Sequence, residues 1–323
     1  MAGIGRGRHR GERAPRGAAP RQGRGGARGQ GARVCPAHPR EAPRPVTVVS
    51  ALTRLSIVRP LNLIALWGAA EAGARLAGGP ALAPASLAPA LAAAFGYARN
   101  DAVDAAADRT NRPDRPIPSG RLTARSAHAV AWICLALGAA LTLSQALRAT
   151  HVALYAIAAL SLYFYSPWLK NRGPLGPAVV ALLGGLAVLW GGWIGPAPAR
   201  SLAAAALASA VSFARECAKD LEDVAGDAPA GKGTWPVQAG EGPPRLALRI
   251  ASAAGLLLIP IPWLLGHAGA WYLALSLGVA APILAWCIVL PPLDAVAARR
   301  TTRALKVALL AGVVGLWLGA TPA

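Results

Sequence analysis

The chain is expected to be an all-α membrane protein, a bundle of nine transmembrane helices. Three observations predict this. The composition is 54% hydrophobic with only 15% charged residues and a mean hydropathy of +0.42, too apolar and too charge-poor for an ordinary soluble domain. The apolar residues come in runs of about 20, the length of a helix that crosses a bilayer. The connections between runs alternate between basic and nearly uncharged, the charge pattern of a multi-pass protein.

The N-terminal segment, residues 1–45, reads differently from everything after it. It is rich in Gly, Pro and Arg, with eleven arginines against Glu12 and Glu41. No apolar period runs through it, so it is expected to be disordered. It has no apolar stretch of the kind found in signal peptides. No aromatic residue is interleaved for base stacking, so a nucleic-acid partner is not expected. The transmembrane domain is assigned to residues 46–323.

Nine apolar segments follow, at roughly 56–77, 81–100, 124–146, 150–168, 175–194, 202–218, 246–265, 268–290 and 304–320. The sixth, "SLAAAALASAVSFARECAKD", is Ala-rich and only moderately apolar. Such a helix suits the inside of a bundle, where small residues allow close approach. In the first, Glu71 and Arg75 stand four apart, the spacing of a helical ion pair. The basic connections hold Arg109, Arg112, Arg115, Arg121 and Arg125, then Lys170 and Arg172, then Lys232 and Arg245, then Arg299, Arg300 and Arg303. The alternate ones carry only Arg148 and Arg200, plus Arg75 near the end of the first segment. The positive-inside rule therefore places the N-terminus and the long loops in the cytoplasm of a multi-pass cell-membrane protein, with the C-terminus outside.

Acidic residues are scarce, 14 against 33 basic ones, yet they gather in two of the cytoplasmic regions. "NDAVDAAADRTNRPDRPIPSG" contains Asp101, Asp104 and Asp108; "RECAKDLEDVAGD" contains Asp220, Asp223 and Asp227. Both read D-x-x-D-x-x-x-D, and each residue of the first set precedes its counterpart by 119 positions. Positions i, i+3 and i+7 share a helix face, so each set should project carboxylates from the end of a helix. Like charges so close repel, and a divalent cation removes the conflict. All-oxygen ligands suit Mg²⁺, which binds one or two carboxylates and completes its shell with water and phosphate. A single such motif is usually a solvated helix end. Two identical ones in an acid-poor chain point to a metal–diphosphate site.

These motifs, with "RPLN" (Arg59 to Asn62), resemble the UbiA superfamily of intramembrane prenyltransferases over roughly residues 54–320. Within it, "NRPDRPIPSG" and "RECAKDLEDVAGD" look most like the digeranylgeranylglyceryl phosphate synthase-like branch. The chain departs from the pattern at Arg99, Gly233 and Trp235. The resemblance implies the nine-helix bundle of that superfamily and a Mg²⁺-dependent transfer of a polyprenyl group from an allylic diphosphate to a hydrophobic acceptor. It implies catalytic roles for Asn100, Asp101, Asp104, Asp108, Asp220, Asp223 and Asp227, with Asp104, Asp108, Asp223 and Asp227 on the metal. Asn62, Arg115, Arg121, Lys170 and Lys232 become candidate substrate-binding groups, the cations as diphosphate clamps. For these four, a plain topology charge is the competing reading. Tyr163, Tyr165 and Trp168 could steady a cation or simply anchor the chain at the interface. The acceptor stays open between a prenylated glycerol phosphate and an aromatic ring of the hydroxybenzoate or naphthoate type. A non-catalytic transporter or scaffold is the other class. A transporter should carry polar groups near the bilayer midplane, whereas here they lie at one face.

Overall fold

The structure, a computed structural model, describes residues 51–144 and 149–321. The basic segment 1–45 lies outside the described residues, as does the end of the third apolar segment. All regular elements among the described residues are helical: α1 (Ala51–Ile57), α2 (Pro60–Leu76), α3 (Ala88–Val103), α4 (Ala105–Asn111), α5 (Ala124–Ser144), α6 (Ala149–Tyr165), α7 (Leu175–Gly192), α8 (Leu202–Asp227), α9 (Trp235–Ala239), α10 (Gly242–Leu258), α11 (Ile261–Leu264), α12 (Ala270–Leu275), α13 (Ala281–Val289) and α14 (Ala295–Gly319). Every expected apolar segment holds a helix. Among the described residues, five helical stretches are long and apolar enough to cross a membrane, at Ala124–Ser144, Leu175–Gly192, Gly242–Leu264, Ala270–Val289 and Ala295–Gly319. The segment Ser276–Ala280 winds as a π-helix and joins α12 to α13.

Helix α8 is the hub, packing on α7, α10 and α14. Ala204, Ala205, Leu207, Val211, Ala214, Cys217 and Ala218 are its buried apolar residues. The Ala-rich sequence makes this possible, because small side chains let neighbouring backbones close in and maximise dispersion contacts. The tightest crossing is between α2 and α7. A Cβ at Gly191 would lie 1.7 Å from the Ala70 carbonyl oxygen, and one at Gly73 would lie 1.9 Å from that of Val188. Only glycine fits at either position.

Glu71 corrects one sequence expectation. It does not pair with Arg75. Its buried carboxylate accepts from the Leu82 backbone N–H at 2.6 Å and from the Ser86 hydroxyl. Trp67 Nε1 donates to the same hydroxyl at 2.9 Å. Arg75 instead lies over the Trp317 ring, 4.7 Å from its centroid. A charge inside an apolar bundle is tolerated only when its lone pairs are filled, and here the loop before α3 fills them.

Candidate active site

The first carboxylate set does not lie on one continuous helix, contrary to the periodicity argument. Asp101 ends α3, Asp104 sits at the break between α3 and α4, and Asp108 belongs to α4. The break leaves the Asp104 side chain free of any capping role, and tertiary partners take it. The second set does ride one helix, at the end of α8 beyond its apolar part. All six carboxylates are buried.

Two loops bring lysines to Asp104. Lys170 lies in the turn Leu169–Asn171, and Lys232 in the loop after α8. The loops are tied by Asn171: its Oδ1 accepts from the Gly233 N–H at 3.1 Å, and its carbonyl from Gln238 Nε2 at 2.8 Å. A Cβ at Gly233 would come within 2.7 Å of Gln238 Nε2 and 2.9 Å of the Asn171 carbonyl oxygen. The glycine that departs from the family pattern is therefore what lets the loops meet. Lys170 Nζ then donates to Asp104 Oδ2 at 2.7 Å and Lys232 Nζ to Oδ1 at 2.6 Å. Asn100 Nδ2 adds a third donor to Oδ2 at 2.9 Å. Burial would push the Asp104 carboxyl up, but the two ammonium groups outweigh it and hold it at about 2. Burial likewise disfavours the Lys170 charge, yet Asp104, Asp227 and Asp223 around it raise its pKa. Lys170 is thus the charge on which both acidic sets converge.

Arginines complete the first side. Arg115 Nη1 donates to Asp108 at 2.6 Å and to Asp101 at 3.1 Å. Arg59 pairs with Asp101 and lies 4.8 Å over the Tyr97 ring. It does so from a left-handed backbone, φ 56, just before Pro60 opens α2. A non-glycine residue held there is strained, and such strain concentrates at functional sites. On the second side Arg112 binds Asp223 at 2.8 Å and Glu222 at 3.1 Å. Asp227 Oδ2 is buried without a hydrogen-bond partner among the described residues, while Asp223 Oδ1 lies 2.8 Å from Arg112 Nη1. Burial raises the pKa of Asp227 despite Lys170 nearby, and it pushes Asp220 up to about 7. Among the described residues no three ligating side chains converge on one point, because lysine and arginine stand between the acids. The orphan oxygen of Asp227, within an all-oxygen donor set, nonetheless fits a divalent cation.

Beside this charge cluster lies a cavity of about 230 Å³. Its walls are apolar, from Leu66, Ala69, Leu162, Leu186, Trp190 and Val313 among others, while Arg59, Asn62, Asn100 and Tyr165 also line it. Asn100 and Arg59 belong to both features. A long apolar chain with an anionic head fits such a shape.

The sequence pattern of the UbiA prenyltransferase family matches residues 61–310. The chain belongs to that family. It is a prenyltransferase and an integral membrane protein. The digeranylgeranylglyceryl phosphate synthase of Methanopyrus kandleri is 39% identical over 268 residues, which cover 80% of this chain and 96% of that protein. A solved structure of a digeranylgeranylglyceryl phosphate synthase superposes with a TM-score of 0.62 at 26% identity, covering 83% of this chain and 98% of its own. A UbiA homologue from Archaeoglobus fulgidus, solved with GPP and Mg²⁺, superposes with a TM-score of 0.53, covering 82% and 99% of the two chains. At 17% identity that likeness concerns the fold.

Placed on this UbiA-family fold, the expected site residues divide. Asn100, Lys170 and Lys232 all donate to Asp104, and Arg115 donates to Asp101 and Asp108, two hydrogen-bonded groups on the same acidic set. Lys170 joins Asp223 and Asp227 to it electrostatically. Asn62 lines the cavity. Arg121 does not join: it is exposed and spends its guanidinium on the Asp114 carbonyl and, at 2.9 Å, the Ser119 hydroxyl. Of the aromatics, Tyr165 lines the cavity, while Tyr163 and Trp168 are exposed under Arg99 and Arg172 at 4.2 and 3.9 Å. Sequence reasoning missed Arg59 and Arg112. Both lay inside the quoted motifs, and each is the basic residue nearest in sequence to an Asn of its motif, a signal too common to single them out.

Proposed function

We propose that this prenyltransferase moves a geranylgeranyl-type group from its allylic diphosphate to the glycerol hydroxyl of a prenylated glycerol phosphate, with Mg²⁺. The observation that carries the reading is the contact of two features through Asn100: an apolar cavity, and a buried cluster where Lys170, Lys232 and Arg115 face two sets of carboxylates. The near full-length likeness to the Methanopyrus kandleri synthase supports the acceptor. An aromatic acceptor remains the alternative that the test must exclude.

Asp223 and Asp227, with Asp220, would hold a cation on one side, and Asp104 and Asp108 on the other. When bound, Mg²⁺ neutralises the diphosphate and favours its departure. Lys170, Lys232 and Arg115 stand where they can shift from carboxylate to diphosphate oxygens, meeting the charge that grows as the allylic C–O bond breaks. The cavity wall keeps water from the allylic carbon, so that the acceptor oxygen captures it. A new C–O bond forms, pyrophosphate leaves, and the hydroxyl proton is released.

The same reading places nine spans in the cell membrane, with the N-terminus and both acidic sets on the cytoplasmic side and residues 46–323 as the catalytic domain. The alternation of basic loops supports it. Incubating membranes that contain the enzyme with labelled geranylgeranyl diphosphate and a panel of acceptors, then weighing the product, tests the function. A prenylated hydroxybenzoate or naphthoate as the main product would replace the glycerol phosphate reading.

A further inference from the structure

The cavity holds further cations, and all but Arg59 stand outside the diphosphate cluster. Arg59, Arg215, Lys219 and Lys306 all line it, and Glu216 is the one carboxylate that does so among the described residues. Arg215 and Lys219 bind that carboxylate, at 2.5 and 3.0 Å, and Arg59 turns to Asp101. Lys306 has no carboxylate or hydrogen-bonding partner among the described residues, although it stands on the apolar helix α14. With Arg59 matched by Asp101, three positive charges stand against one carboxylate and leave the cavity cationic. Lys170, Lys232 and Arg115 do not line it, so the two cationic groups are separate, with Arg59 and Asn100 between them.

An unpaired ammonium facing an apolar cavity is expensive unless an anion meets it in the working complex. Membrane-facing lysines usually extend to the headgroups to escape this cost. Lys306 instead faces the cavity together with Arg215. We propose that Lys306 and Arg215, supported by Lys219, form the subsite for the phosphomonoester of the lipid acceptor. This inference rests on the glycerol phosphate reading above and assigns its headgroup to these residues. The donor diphosphate then belongs to the carboxylate–lysine cluster and the acceptor phosphate to the cavity cations. The two headgroups are held apart by Asn100, and the acceptor hydroxyl is brought beside the allylic carbon. The subsite sets specificity, since an acceptor lacking the phosphate leaves Lys306 uncompensated.

The test compares wild type, Lys306→Met and Lys306→Arg with geranylgeranyl diphosphate and Mg²⁺. Two acceptors are used, geranylgeranylglyceryl phosphate and the same lipid without its phosphate. Lys306→Met should raise KM for the phosphorylated acceptor by about tenfold or more, the loss of one charge-assisted hydrogen bond. It should leave the donor KM unchanged and should improve, or at least not impair, the use of the dephosphorylated lipid. Lys306→Arg should recover most of the loss. In the absence of donor, geranylgeranylglyceryl phosphate should raise the melting temperature of wild type and of Lys306→Arg but not of Lys306→Met. An unchanged acceptor KM, an equal loss with both acceptors, or a rise in the donor KM each overturns the subsite. A wild-type enzyme that ignores the glyceryl phosphate and prenylates 4-hydroxybenzoate defeats the acceptor reading itself, and that outcome is visible before any variant is measured.

Discussion

Lys170 Nζ donates to Asp104 Oδ2 at 2.7 Å, and both side chains are buried. The pair joins a loop between α6 and α7 to the break between α3 and α4, and it holds a cation where a diphosphate would arrive. Lys170→Gln should therefore raise the apparent KM for the diphosphate donor by about tenfold or more. Arg115→Gln should do the same, since Arg115 spans Asp101 and Asp108. Arg121→Gln should leave both KM and kcat near wild type, because its guanidinium stays within its own exposed turn. Donor titrations at constant protein abundance decide the matter. A change in abundance alone for Lys170→Gln or Arg115→Gln would make them topology charges.

Asp104→Asn and Asp223→Asn should each abolish most turnover, because an amide keeps the shape but loses the charge. If both sets serve one diphosphate, the double change should cost little more than either single one, since groups that act as a unit are non-additive. Activity should vanish with EDTA and return with Mg²⁺. Multiplicative losses in the double variant would mean two separate sites.

The Mg²⁺ requirement should depend on pH. Burial raises Asp220 to about 7, above the usual carboxylate value of about 4. Between those values the metal-free folded protein binds a proton there that the unfolded chain does not. Its stability from this group is present below the lower value and is lost as pH rises through about 7. A cation must displace that proton, so the Mg²⁺ concentration for half-maximal activity should rise as pH falls from 8 to 6. Mg²⁺ activation curves at fixed donor concentration measure it. A curve that does not move would show that Asp220 has no part in holding the ion.

Gly191→Ala should destabilise the fold at the α2–α7 crossing. The new Cβ would stand 1.7 Å from the Ala70 carbonyl oxygen, and both partners are helix backbone. Forcing the helices apart costs about 2 kcal/mol or more, as other overpacked positions do. Thermal unfolding in detergent should come several degrees earlier. An unaltered melting temperature would mean that the crossing is looser than it stands here.

Reporter fusions within the 226–242 loop and at the C-terminus should fall on opposite sides of the membrane, the outcome of nine spans with alternating basic loops. Finding both on one side would refute the count or the orientation.

The fold class was legible in the sequence, because a membrane-spanning helix needs an apolar run whatever it packs against. The acidic sets were legible for a similar reason: six carboxylates in matched positions of an acid-poor chain need no partner to be noticed. Which cation each carboxylate meets was decided only in three dimensions. Lys170 and Lys232 stand 62 residues apart, and nothing local says that Asn171 and Gly233 clasp their loops together over Asp104. The break at Asp104 was equally hidden, since an i, i+3, i+7 spacing describes a helix face only where the helix continues. Arg121 and Arg115 look alike in sequence, six residues apart in one motif, yet the turn at Ser119 and Gly120 keeps one at the surface and leaves the other among the acids. Glu71 was read with its helical neighbour because i, i+4 pairing needs only local geometry, whereas its real partners come from the next loop. Sequence fixes what can be buried and what must be charged. Which charges meet depends on how loops fold back over the helix ends, and that is a property of the packed bundle.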